Sequence, residues 1–244
     1  DPNGKDWIVV SCEGVGASLW FPNKDHLSDE PDSVRITCAV PKGLTCVSNG
    51  NLRSTKDLKN DSQVSDNKQL NEIKPLPYTE FEWFVSYPIN NYNIIPYIGK
   101  YVNWGDTLHG EKGVLDLNYW VLDYNLEKAK KQFGRDVKRM LRAFEYWFGP
   151  YPFYEDSYKL VETHHLGMEH QSAVAYGNKY KSGYLGTNDY TGGHDFDYII
   201  IHETGHEWFG NNISAADPAD MWIHEALTTY AESIYVECIK GSDE

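Results

Sequence analysis

Three features are scarce in this sequence of 244 residues, and each scarcity excludes a class of protein. No apolar run approaches the ~20 residues of a membrane-spanning helix, so no membrane span is expected. Lys and Arg number 22 against 36 Asp and Glu, which gives a formal net charge of -14. Because no basic cluster could follow a phosphate backbone, the sequence speaks against nucleic acid as a partner.

Cysteine is the third scarce feature. The four cysteines are too few for a disulfide scaffold, and no two of them form a C-x-x-C pair. A zinc knuckle and a dithiol redox motif are therefore excluded. The N-terminus lacks the apolar core of a signal peptide, and the composition decides neither the compartment, cytoplasmic or extracytoplasmic, nor the oligomeric state.

The first 120 residues have the composition of β-strands. Segments rich in β-branched and aromatic residues predict strands at residues 7–10, 33–40 and 80–85. Turn-forming residues interrupt this part of the chain at 41–43, 48–51 and 110–113. The polar stretch 53–72 is expected to be an exposed hairpin arm or loop. We therefore predict a mostly antiparallel β domain over residues 1–120.

The character of the sequence changes near Asp123. Apolar residues then recur every three or four positions, which predicts an amphipathic helix that ends at Gly149 and Pro150. This stripe comprises Leu126, Ala129, Phe133, Val137, Met140, Leu141, Phe144 and Trp147. Further strands are predicted at 159–163 and 172–177, and further helices at 196–210 and 218–240. Asp217 is the expected N-cap of the last helix. Residues 121–244 thus predict a second domain, and the chain as a whole an α+β fold.

Two histidines define a candidate metal site. The run from His202 to His206 reads H-E-T-G-H, and residues four apart share one face of a helix. Both imidazoles could therefore bind one metal ion, with Glu203 beside them. Taken alone, the motif would also fit two surface histidines that flank an ordinary glutamate.

Glu225 is a third candidate ligand. It follows His206 after eighteen residues, on the next predicted helix. Requiring it lowers the chance occurrence of the pattern from roughly 2% to roughly 0.2%. Three protein ligands with one open position are typical of catalytic zinc, so Zn²⁺ is the expected cofactor. Glu232 lies two helical turns further on and could accept a hydrogen bond from a ligand imidazole, or be a solvated surface residue.

Together these motifs resemble a known family. The run H-E-T-G-H-E-W-F-G-N from His202 to Asn211, followed by Glu225, resembles the zinc aminopeptidases of the gluzincin group, the family of aminopeptidase N and leukotriene hydrolase. Residues 166–171 resemble the family's G-x-M-E-N strand, with His170 where Asn is usual. Residues 12–14 and 19–25 resemble its Q-x-Q/E strand and P-C-x-D segment, and 47–50 match a turn of its β-domain.

The resemblance implies a role for each matched residue. It makes His202, His206 and Glu225 the zinc ligands and Glu203 the general base. The residues implied to bind the substrate are Glu13, Gly167, Met168 and Glu169. The two glutamates among them would hold the free α-amino group of a peptide. Segment 167–177 alternates as an edge strand would, and an extended peptide could add to it by main-chain hydrogen bonds. By composition alone, either glutamate could also be a surface carboxylate.

The resemblance also implies how the chain is organised. Residues 1–120 would be the end of a saddle-like, antiparallel β-rich N-terminal domain, and 121–244 the first half of a thermolysin-like catalytic domain. The chain would then be a piece of a longer protein. Since Tyr230 is only five residues after Glu225, the tyrosine that stabilises the oxyanion in this family is expected beyond Glu244.

These inferences lead to one functional hypothesis and two alternatives. The hypothesis is a zinc aminopeptidase that acts on peptides with a free N-terminus. One alternative is a module that binds zinc without turning over a substrate. The other is an endopeptidase of the same clan, in which Glu13 and Glu169 would not both line the cleft.

Overall fold

The structure is a computed structural model that describes residues 1–58, 77–187 and 196–241. The strands in this part of the chain are β1 (Ile8–Val9), β2 (Val34–Pro41), β3 (Thr45–Ser48), β4 (Asn51–Leu58), β5 (Tyr78–Val85), β6 (Pro96–Gly99), β7 (Tyr101–Gly110), β8 (Gly113–Leu122), β9 (Tyr158–Glu162), β10 (Gly167–Met168) and β11 (Val174–Tyr176). The helices are α1 (Leu126–Phe148), α2 (Tyr198–Gly205) and α3 (Trp222–Lys240). The described part therefore combines sheets and helices, as the sequence predicts.

The early strands form two small antiparallel sheets. One has the order β1-β6-β3 and the other β2-β5-β4. In the second, β2 pairs with β5 from Val34 opposite Val85 to Pro41 opposite Tyr78. Strand β4 covers part of the stretch that the sequence predicts as a hairpin arm or loop, so residues 53–58 are a strand; the remainder, 59–72, lies outside the described residues.

A third sheet carries the candidate site. Its order is β10-β11-β9-β8-β7, and β9 lies parallel to both of its neighbours. Strand β9 is buried on both faces, since Leu160 belongs to one hydrophobic core and Val161 to the other. Such burial is typical of parallel strands. Because β7 and most of β8 come before residue 121, and β9 to β11 come after it, this sheet joins residues from both sides of the predicted domain boundary. The division at residue 120 stays a prediction.

Helix α1 packs across this sheet with the predicted stripe. The members of the stripe between Ala129 and Phe144, both included, are fully buried in the core. Burying an aliphatic or aromatic side chain stabilises the fold by roughly 1.5–3 kcal/mol. Trp147 departs from the prediction, because it is 50% exposed and its indole N–H donates to Sγ of Cys238 at 3.0 Å. The helix ends at Gly149, whose φ of +86° favours glycine.

The two later helices are shorter than predicted. Helix α2 ends at Gly205, and the chain then folds into a tight turn in which Asn211 N donates to His206 O at 2.9 Å. The sequence predicts a helix that continues to residue 210, through the residues that form this turn in the structure. At the other helix, Asp217 caps a short 3-10 turn by accepting from Ala219 N at 2.8 Å, and α3 follows from Trp222.

Segment 167–177 is not one edge strand. It contains β10, at the sheet edge, and β11, which lies between β10 and β9. The connection breaks the alternation at Ser172, whose φ is +54°. Of the predicted edge strand, only β10 can therefore offer a free edge to a peptide.

A turn of the first half contacts the loop between β10 and β11. Asn49 donates to Gln171 O at 2.7 Å, and Gly50 N donates to Ser172 Oγ at 2.9 Å. Lys159, buried on β9, donates to Gly50 O at 2.5 Å and to Asp156 O at 2.9 Å. A Cβ at Gly50 would lie 2.0 Å from Phe84 O, so this turn requires glycine. The contacts fix the position of the loop that carries Glu169.

No helix in the described ranges is both long enough and apolar enough to cross a bilayer.

Candidate metal centre and active site

Helices α2 and α3 bring three potential ligands together. Nε2 of His202 lies 3.3 Å from Nε2 of His206. The carboxylate of Glu225 lies 3.4 Å from the first of these nitrogens and 3.5 Å from the second. All three ligand atoms fall within 4.8 Å of one another. The residues that the sequence selects as ligands are therefore adjacent in space.

The spacing of these atoms fits a tetrahedral zinc ion. Zinc binds nitrogen and oxygen at ~2.0–2.2 Å, so two ligands of a tetrahedral site lie about 3.3–3.5 Å apart. The two nitrogens are 3.3 Å apart, and each lies 3.4–3.5 Å from one of the two oxygens of Glu225, so all three separations fall in this range. Cysteine is not among the ligands, and the set of two imidazoles and one carboxylate leaves one position open for water or substrate.

The outer nitrogens of both imidazoles are held by acceptors. Nδ1 of His202 lies 2.6 Å from Oε1 of Glu232, and Nδ1 of His206 lies 3.0 Å from the carbonyl oxygen of Phe209. An ionised carboxylate and a carbonyl can only accept, so both Nδ1 atoms carry hydrogen. When both rings are neutral, the lone pairs of the two Nε2 atoms face one another, an arrangement that a cation stabilises.

The electrostatics of His202 also favour a cation at this point. Burial lowers the pKa of His202, but hydrogen bonds to Glu225 and Glu232 outweigh it and raise the pKa to about 11. Burial and the neighbouring His202 lower the pKa of His206 to about 4. A metal ion can replace the proton that His202 would otherwise hold, because the same carboxylates attract either positive charge.

Helix α2 is held in place by a buried aspartate at its start. Asp197 accepts from Ile199 N at 3.0 Å, which caps the helix. Three side chains also donate to this carboxylate, at 2.6–2.9 Å, from Gln132, Tyr176 and Asn178. Four hydrogen bonds to one fully buried carboxylate fix the origin of the helix that carries the two histidines.

Glu203 lies on α2 in close contact with the edge strand. It is buried, and a Cβ at Gly167 would come within 2.3 Å of its Oε1 atom. Only glycine can therefore occupy position 167 without moving this carboxylate. Burial raises the pKa of Glu203 well above its usual value, with His202 opposing the shift and Glu169 adding to it. A carboxylate with a raised pKa can accept and return a proton near neutral pH.

Two further carboxylates occupy the neighbouring region. Burial raises the pKa of Glu169 to about 7, with a hydrogen bond from Tyr92 opposing the shift and Glu225 adding to it. Burial, Glu169 and Glu225 raise the pKa of Glu13 to about 7. The structure thus places Glu13, far away in the sequence, in the same electrostatic environment as Glu169.

A cavity of about 240 Å³ adjoins Glu13. Glu13 and Tyr92 line it together with Val15, Leu27 and Met221, the residue that precedes α3. Its walls are apolar apart from a few polar groups, as in many small-molecule sites. By contrast, Met168 is 7% exposed and packs in the hydrophobic core, so its main chain is the part that could contact a substrate.

Several contacts of the site were missed by sequence reasoning. Tyr92 donates to Oε1 of Glu169 at 3.0 Å across 77 residues of sequence, and no local pattern signals it. Glu207 is fully buried and accepts from Tyr151 OH at 2.7 Å and from Ser172 N at 2.9 Å. Tyr198 donates to Glu232. Its position four residues before His202, on the same helix face, was a signal that could have been used.

Comparison with known proteins finds similarity to peptidases. The Peptidase family M1 domain matches residues 132–244. Aminopeptidase B of Mus musculus is 27% identical over 155 residues, which cover 63% of this chain and 21% of that protein. Leucine aminopeptidase 2 of Vanderwaltozyma polyspora is 26% identical over 243 residues, 98% of this chain and 31% of that protein. The chain thus spans about a fifth to a third of the length of these relatives.

Solved structures show the same fold. The M1 zinc metallopeptidase of Deinococcus radiodurans, a mutant bound to a Tyr-Ser-Ala substrate, has a TM-score of 0.73 and 18% identity. The match covers 95% of this chain and 46% of that one. The matching family model and the solved structures of similar fold are those of metallopeptidases. Residues 132–244 match the Peptidase family M1 domain, and this match, with the aminopeptidase relatives and the similar M1 structures, confirms the resemblance to the gluzincin aminopeptidases.

Proposed function

We propose that this protein is a zinc-dependent aminopeptidase that removes N-terminal residues from peptides. The observation that carries the proposal is the cluster of His202, His206 and Glu225, whose spacing fits zinc, with Glu203 beside it. The aminopeptidase names of the M1 relatives support the same activity.

The chemistry divides between the metal and the chain. A zinc ion held by the two histidines and Glu225 would polarise the scissile carbonyl and acidify the attacking water. Glu203 accepts the proton of that water and passes it to the leaving amine. Its burial suits this role, because a desolvated carboxylate is a stronger base than one in water.

The carboxylate pair accounts for exopeptidase specificity. Burial raises the pKa of both Glu13 and Glu169, and Glu169 adds to the shift at Glu13; an ammonium group beside the two carboxylates would relieve this cost of ionisation. A peptide α-amino group held there fixes the first peptide bond relative to the metal. An endopeptidase would have to admit a chain at this position in place of an amine.

Metal analysis and kinetics test the metal centre. We expect one zinc ion per wild-type chain, and loss of most of that zinc in His202→Ala and Glu225→Ala. Glu203→Gln should keep its zinc and lose ~10²–10⁴-fold in kcat, since it removes the base and keeps the volume. Full zinc in both ligand variants would refute the site. A wild-type protein that binds zinc but cleaves no peptide would instead identify the non-catalytic module.

Acetylated peptides test the direction of attack. N-acetylation of a substrate should abolish cleavage, because it removes the ammonium that Glu13 and Glu169 bind. Glu169→Gln should lose ~1.5–3 kcal/mol of transition-state stabilisation, while Glu237→Gln, on the exposed face of α3, should cleave normally. Equal wild-type rates on free and acetylated peptides would favour the endopeptidase.

A further inference from the structure

Tyr198 is linked to the metal centre through one carboxylate. It is the first residue of α2, one helical turn before His202. Its hydroxyl donates to Oε2 of Glu232, and Oε1 of the same carboxylate lies 2.6 Å from Nδ1 of His202. The side chain of Glu232, which comes from α3, therefore bridges two positions on α2.

The second hydrogen bond matters because Glu232 is otherwise free to turn. The last torsion of a glutamate is broad, so a carboxylate held at one oxygen can rotate around that contact. Glu232 is 4% exposed, which limits the help that water could give in fixing it. A hydrogen bond at each oxygen sets the plane of the carboxylate and hence the direction in which the imidazole points.

The other histidine is held differently. His206 is fixed by the main-chain carbonyl of Phe209 at 3.0 Å, and Thr228 Oγ1 lies 3.1 Å from the same ring nitrogen. A carbonyl in a tight turn needs no further support. His202 depends instead on the long side chain of Glu232, which comes from another helix. The hydrogen bond from Tyr198 restricts this acceptor, as the backbone restricts the carbonyl that accepts from His206.

We propose that Tyr198 is a positioning residue of the metal centre, which orients His202 by fixing Glu232. The inference rests on the proposed function only in taking zinc as the metal. It predicts that the hydroxyl of Tyr198 contributes to zinc affinity only while the carboxylate of Glu232 is present.

A double-mutant cycle on zinc affinity tests this dependence. The zinc dissociation constant is measured on the purified chain by competition with a chelator. Removing an outer partner of a metal-bound histidine typically weakens binding ~10–100-fold, so we expect such a loss for Glu232→Ala and a smaller one, about 5–10-fold, for Tyr198→Phe. Adding Tyr198→Phe to Glu232→Ala should cause no further loss.

Two further variants guard against a purely structural effect. Tyr154→Phe removes a comparable hydroxyl–carboxylate hydrogen bond, to Glu145 on α1, and should leave zinc affinity unchanged. If Glu232→Ala does not fold, Glu232→Gln keeps the volume and removes the charge, and Tyr198→Phe should then have a reduced effect. Melting in excess chelator shows whether each variant folds without metal.

Three outcomes would contradict the role of Tyr198 as a positioning residue. The same fold-loss from Tyr198→Phe in both backgrounds would show that the tyrosine acts through the packing of α2, and would overturn the inference. Unchanged zinc affinity in Tyr198→Phe would overturn it as well. Zinc that fails to bind the wild-type chain would refute the proposed function itself, and this inference with it.

Discussion

Replacing Gly167 by alanine should separate catalysis from metal binding. The new Cβ would lie 2.3 Å from Oε1 of Glu203, 2.7 Å from its Cδ and 2.8 Å from its Cγ. Ordinary carbon–oxygen contacts need about 3.4 Å, so the carboxylate must retreat by about 1 Å. A displacement of that size in a catalytic group can cost about 10²-fold in rate. Zinc content should stay at the wild-type level, because the ligands are on other side chains.

The same substitution should have a modest effect on stability. Glu203 is buried, and extra volume in a packed region costs about 1–3 kcal/mol. Gly134→Ala is the matched control, since it lies on the exposed face of α1 with nothing within 4 Å of a new Cβ. It should stabilise the protein by about 0.5–1 kcal/mol and leave kcat unchanged.

Cleavage of an aminoacyl anilide, metal analysis and urea unfolding measure the three quantities. The expected pattern for Gly167→Ala is a large fall in kcat, normal zinc and a small loss of stability. A kcat within twofold of wild type, with normal zinc, would show that the carboxylate of Glu203 need not be held where the structure has it.

Two other predictions concern stability. Asp197→Ala should cost about 3–5 kcal/mol in urea unfolding because it removes four buried hydrogen bonds to one carboxylate, whereas Asp217→Ala, at an exposed cap, should cost at most about 1 kcal/mol. Equal costs would contradict the assigned role of the Asp197 network. The second prediction is that Lys159 makes stability depend on pH. Burial lowers the pKa of Lys159 from 10.5 to about 7. Between these two pH values the unfolded chain therefore binds a proton that the folded chain does not. Wild-type stability relative to Lys159→Met should therefore rise by up to ~1.4 kcal/mol per pH unit between pH 7.5 and 9.5, and a flat difference would show that Lys159 stays charged.

Helix α1 and the metal-binding spacing were within reach of the sequence. The stripe of α1 follows the helical period over six turns, and most of it is buried against one sheet. The two histidines are four residues apart, a separation that brings them together even though His206 lies just past the end of α2. Local periodicity was sufficient for both features.

Other features depend on contacts that local patterns do not encode. Helix α2 ends at a turn that is closed by the hydrogen bond from Asn211 N to His206 O. Helical propensity cannot reveal such a turn. The alternation of 167–177 continues through Ser172, where the backbone reverses. The proximity of Glu13 to Glu169 arises from tertiary packing across more than 150 residues, so the sequence could suggest it only through a family resemblance.

The pairing of β8 with β9 has a consequence for how the chain folds. Strand β8 presents Leu115, Leu117 and Tyr119 to side chains of α1, β9 and β11, all of which follow it in the sequence. A polypeptide ending near residue 120 would leave these side chains in water. Parallel pairing must also wait for the intervening helix, so this step closes a long loop. We therefore expect the described strands and helices on both sides of residue 120 to protect their amides from hydrogen exchange as one cooperative unit.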